Sequence, residues 1–99
     1  MVTRYRRNGN LYSFYLHENS TGDGWKNYIT VAKTPDDENQ PETVRNIPVK
    51  TADGYSIKVN KKSISSANGA RGAFAFISDC IRNNFMMAYV NRIIEQFTA

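Results

Sequence analysis

The chain has 99 residues, 13 Lys and Arg against 9 Asp and Glu, a net charge of +4 and a single cysteine. That length holds one domain, spanning 1–99, and one core that buries roughly 60–65% of the unfolded surface. A lone cysteine excludes a disulfide scaffold, and the supply of aliphatic and aromatic side chains excludes a disordered polyelectrolyte.

The charge is uneven. Residues 1–33 carry Arg4, Arg6, Arg7, Lys26 and Lys33 against Glu18 and Asp23, whereas 34–42 carry only Asp36, Asp37, Glu38 and Glu42. Residues 43–72 carry Arg45, Lys50, Lys58, Lys61, Lys62 and Arg71 against Asp53, and the remainder is balanced. Basic segments of this kind suit a polyanionic partner, although solvated charges also serve solubility alone. No run of ~18 apolar residues is present, and no apolar run follows the first charges, so a cytoplasmic protein without membrane contact is expected.

Thr3–Arg7 and Asn10–His17 alternate apolar and polar residues around Asn8-Gly9, the strongest short hairpin signal, because a type I′ turn needs positive φ at both central positions. The turn predicts Arg7 opposite Asn10, Tyr5 opposite Tyr12 and Thr3 opposite Phe14. Tyr5, Tyr12, Phe14 and Leu16 then face the core, and Arg4, Arg6, Leu11, Ser13, Tyr15 and His17 face outward. Glu18–Gly24 reads as a turn-rich loop. In Trp25–Lys33, Trp25, Ile29 and Val31 share one side while Lys26, Tyr28 and Thr30 share the other. Thr34–Pro41 reads as an exposed acidic loop whose carboxylates could cap the basic face.

Thr43–Lys50 and Tyr55–Lys62 flank Ala52-Asp53-Gly54. A three-residue loop with a left-handed Gly54 places Val49 opposite Ile57 and Ile47 opposite Val59. Pro48 points to an edge strand. Ser63–Gly69 reads as a lead-in whose Ser65, Ser66 and Asn68 are candidate helix caps. From about 70 to 97 the apolar spacing turns helical, with Asn83-Asn84 a place for a bend or break. Met86, Met87, Val90 and Ile94 widen the apolar arc and point to self-association through this helix, unless the sheet curls around it. The expected fold is α+β: an antiparallel sheet of four to five strands (about 3–62, two hairpins plus a strand) packed against one long C-terminal helix.

Little in the sequence suggests catalysis. His17 and Cys80 have no second His or Cys with which to hold a metal, and a Cys–His nucleophilic pair would need residues on opposite sides of the fold to meet. The carboxylates of 36–38 lie in a loop with no scaffold to fix their separation. Neither Gly-containing stretch fits a phosphate-loop fingerprint, although Arg71, with Lys61 and Lys62 upstream, stands where a helix N-terminus attracts phosphate. No enzyme, cofactor or metal is expected.

The outward face is the best candidate site. Single strands are held by aromatic rings that stack on bases and by cations on phosphates. Tyr15 and Tyr28 supply the rings, and Arg4, Arg6, His17, Lys26, Lys58, Lys62 and Arg71 supply charge. The expected function is a non-enzymatic module binding single-stranded DNA or RNA, dimeric through its helix, similar in outline to small sheet-plus-helix modules that bind single strands as dimers. The alternative is a small protein–protein module, an inhibitor or accessory factor of a virus or mobile element. It would meet a host protein through Met86, Met87, Val90 and Ile94 or through the acidic loop.

Overall fold

The first two strands of the computed structural model meet at Asn8-Gly9, where both residues have positive φ (51° and 78°), as a type I′ turn requires. The structure describes residues 2–21, 24–49, 55–59, 62–66, 69–95 and 97, with side chains at 2–17, 28–47, 72–95 and 97. Among these described residues six strands come first: β1 (Val2–Arg7), β2 (Asn10–Thr21), β3 (Gly24–Pro35), β4 (Thr43–Val49), β5 (Tyr55–Val59) and β6 (Lys62–Ser66). Two helices follow, α1 (Gly69–Asn83) and α2 (Met87–Glu95). β1 to β4 form an antiparallel meander in chain order, and β5 and β6 form a separate two-stranded ladder. The class is α+β.

The β1–β2 register is the one the turn predicts, with Arg7 opposite Asn10, Tyr5 opposite Tyr12 and Thr3 opposite Phe14. Elsewhere the strands run further than their composition suggests. β2 and β3 continue through the supposed loop at 18–24, pairing Ser20 with Trp25 and Thr21 with Gly24. Residues 22 and 23 lie outside the described residues, and the ladder takes up the rest of the expected loop. Lys62–Ser66 is also a strand, with Ile57 opposite Ile64. Its Ser-Ile-Ser alternation outweighs the turn signal of its serines.

The second hairpin is the larger correction. β4 pairs with β3, not with β5, so Val49 lies opposite Asn27 and Ile47 opposite Ile29. Parity correctly places Ile47 on the core face, but parity cannot choose between two partner strands. The segment 50–54, including the expected left-handed Gly54, lies outside the described residues, as does Asn68; the side chains of Trp25, Ser65 and Ser66 do too.

From the inner face of the sheet, Tyr12, Phe14, Ile29, Val31 and Ile47 meet Ala73, Phe74, Ile77 and Cys80 of α1 and Val90, Ile93 and Ile94 of α2 in one buried cluster. Spacings of three and four put each helical set on one side of its helix. Phe97 closes the cluster's edge, its ring 6.0 Å from that of Tyr12 and under the Arg45 guanidinium at 5.6 Å. Phe76 and Tyr89 meet edge-on at 5.7 Å and join the two helices.

The C-terminal helix is two helices because α1 ends in a Schellman motif. Asn84 takes the left-handed conformation (φ 50°), Phe85 N–H donates to the Cys80 carbonyl at 2.9 Å, and Asn84 N–H donates to that of Ile81 at 3.4 Å. Met86, also left-handed (φ 48°), then accepts from Tyr89 N–H at 3.1 Å and opens α2. The break falls at the predicted Asn83-Asn84 position, and it changes the reading of the apolar arc. α2 swings so that Val90 and Ile94 enter the chain's own core and Met87 packs against it. Of the four residues expected to mediate self-association, Met86 alone is exposed, at 42%.

Candidate nucleic-acid interface

Because successive side chains of a strand point to opposite faces, the residues between the core positions form the other surface of the meander. The registers arrange them in rows. Val2, Tyr15, Thr30 and Asn46 make one row; Arg4, Ser13, Ala32 and Val44 make the next; Arg6, Leu11 and Thr34 lie beyond it toward the Asn8-Gly9 turn. On the other side of the Tyr15 row, His17 lies opposite Tyr28. Among the described residues neither helix covers this surface, since the helical residues of the core meet the opposite face.

Tyr15 and Tyr28 are half-buried, whereas Arg4, Arg6 and His17 are exposed. The His17 imidazole and the Tyr28 ring are stacked, with centroids 4.8 Å apart and planes inclined by 22°. Tyr15 is diagonal to Tyr28 across the β2–β3 ladder, a spacing that rings of this size can bridge. Thr30 Oγ1 bonds Asn46 Oδ1 at 2.8 Å and ties β3 to the edge strand within the same surface. Ser13 and Ala32 form a small-residue floor at its centre. Each is only 5% exposed.

The expected cations do not all gather here. Arg4 has no ion-pair partner among the described residues. Arg6 is paired with Asp36 of the acidic segment, a contact that the sequence only allowed for. Lys26 lies in β3 opposite Asn19, two residues from Tyr28. Lys58 and Lys62 belong to the β5–β6 ladder, which is not hydrogen-bonded to the meander, and Arg71 is in the first turn of α1. Of the nine expected residues, Lys58, Lys62 and Arg71 therefore lie on elements outside the four-stranded sheet. The residues brought together are Arg4, Arg6, Tyr15, His17 and Tyr28. The cause is again the pairing of β4 with β3, which leaves β5 to find another partner.

Among the described residues, no three His, Cys, Asp or Glu side chains cluster as metal ligands. Cys80 is on the buried side of α1, and its thiol is pushed above the usual range by that burial and, to a lesser degree, by the neighbouring Asp79 carboxylate. No described helix is long and apolar enough to cross a membrane. Comparison with protein-family profiles, curated proteins and solved structures finds no match for the chain.

Proposed function

We propose that the chain is a non-enzymatic module that binds single-stranded nucleic acid on the outward face of β1, β2 and β3. The observation that carries this reading is the grouping of Tyr15, the stacked His17–Tyr28 pair and Arg4 on a sheet surface where, among the described residues, Arg4 has no ion-pair partner and neither helix covers the rings. Bases stack on the rings and Arg4 meets phosphate. A sheet face suits a strand of varying sequence, because every base presents a π-face while hydrogen-bond readout is not required. The partner-protein reading through the helix has less to support it, since Val90 and Ile94 serve the core.

The test is a fluorescence-anisotropy titration of a labelled single-stranded oligonucleotide, as DNA and as RNA, at low and at moderate salt. Binding is expected at low salt and weakens as salt rises, with a log–log slope of about −0.7 for each phosphate neutralised. Tyr28→Ala is expected to weaken it about 5- to 150-fold, the range for losing one stacked base. No binding of either nucleic acid at low salt overturns the proposal.

A further inference from the structure

We infer that the acidic segment is a built-in competitor for the nucleic-acid site, with the Asp36 carboxylate occupying Arg6 in place of a phosphate. This inference rests on the nucleic-acid reading of the outward face and adds the regulation of one end of it. Arg6 is on that face, beyond the row of Arg4 and toward the Asn8-Gly9 turn. A guanidinium there is well placed to extend the phosphate track from Arg4, yet its Nη1 already donates to the Asp36 carboxylate.

The local backbone sets where Asp36 lies. β3 stays in register with β2 up to Pro35 opposite Asn10. The next residue, Asp36, donates its N–H to the Gly9 carbonyl at 2.8 Å and so docks on the β1–β2 turn itself. Beyond it the chain closes into a small turn, in which Asn39 N–H donates to Asp37 Oδ1 at 2.9 Å and Gln40 N–H to the Asp37 carbonyl at 3.0 Å. The carboxylate is therefore delivered to Arg6 by backbone geometry and not by chance encounter. A carboxylate and a phosphate compete for the same guanidinium charge, so Asp36 on Nη1 of Arg6 weakens the hold of that guanidinium on a phosphate. The pair is also open to water, with the two side chains 59% and 52% exposed, so it breaks at small cost and an incoming strand can displace it.

The consequence is a gain of function on neutralising one residue. Asp36→Asn keeps the shape of the side chain and the backbone bond to Gly9. In the same titration it is expected to tighten oligonucleotide binding about two- to five-fold at low salt, the range for releasing an exposed ion pair. It is also expected to steepen the salt slope by about 0.7, one additional phosphate contact. Glu38→Gln removes the same charge from the same segment without touching Arg6, and is expected to leave the slope unchanged. In an Arg6→Ala background, Asp36→Asn is expected to gain nothing.

If wild type binds and Asp36→Asn matches Glu38→Gln in both affinity and slope, the competitor is overturned while the binding face stands. An equal gain for Asp36→Asn with and without Arg6 also overturns it, since the effect is then one of net charge. If neither wild type nor Asp36→Asn binds, the binding face itself is overturned and the competitor with it.

Discussion

The imidazole of His17 lies almost parallel to the ring of Tyr28, 4.8 Å away, and the two residues are direct partners in the β2–β3 ladder. A cross-strand aromatic pair contributes roughly 0.2–1 kcal/mol, and less when water reaches both rings. His17→Ala and Tyr28→Ala are each expected to lower stability by about 1 kcal/mol or less. A double-mutant cycle from urea denaturation should show a coupling of a few tenths of a kcal/mol. A coupling of zero means that the rings lie together without holding each other.

Phe14 and Tyr15 are adjacent in sequence and opposite in environment, one with no exposure and the other half-buried on the outward face. Phe14→Ala opens a cavity against the inward side chains and is expected to cost about 3–5 kcal/mol. Against the 5–15 kcal/mol available to a domain, that leaves a marginal fold. Tyr15→Ala is expected to cost about 1 kcal/mol or less and to act on binding instead. Equal losses in urea denaturation contradict the assignment of the two faces.

Two non-glycine residues with positive φ flank Phe85, which is 59% exposed at the junction of the helices. Glycine at either position relieves left-handed strain worth roughly 1 kcal/mol. Asn84→Gly and Met86→Gly are each expected to raise the thermal midpoint by a few degrees, Asn84→Gly by less because Asn tolerates this conformation. Asn84→Val is expected to lose about 1–2 kcal/mol. A stabilising Asn84→Val means that α1 and α2 run on as one helix.

Cys80 gives a pH prediction of definite sign. Burial, with Asp79 second, raises the thiol's pKa in the fold, so the folded state holds the proton more tightly than the unfolded one. The associated stability is complete below the unfolded thiol's value, about 8.5, and is lost as pH rises through the folded value. The urea midpoint of wild type is expected to fall above about pH 8.5 more steeply than that of Cys80→Ala. Labelling by a thiol reagent at pH 8 should be slow in the native protein and fast in urea. Rapid native labelling contradicts the burial.

The sequence disclosed the first hairpin to the residue, because Asn8-Gly9 fixes both turn type and register and the alternation around it divides the faces. It disclosed the helix break as well, since Asn is the commonest substitute for Gly at a left-handed helix end. It did not disclose which strand Ile47 would meet. Parity gives a face, whereas the choice between β3 and β5 depends on how much apolar surface each pairing buries across the whole sheet. The candidate site followed the same division. Arg4, Tyr15, His17 and Tyr28 were legible from local alternation, while the Arg6–Asp36 contact joins residues 30 apart in the chain and depends on where β3 ends against β2.

The meander is laid down in chain order, each strand beside the one just before it. Such a sheet can zip up from the first turn with little loop-closure cost, and short-range topologies of this kind assemble quickly. The helices come last in the sequence, and Phe14, Ile29, Val31 and Ile47 stay wet until they arrive. Peeling α1 and α2 away therefore uncovers a ready-made greasy plate, so that loss of the C-terminal third would show first as aggregation and only afterwards as unfolding.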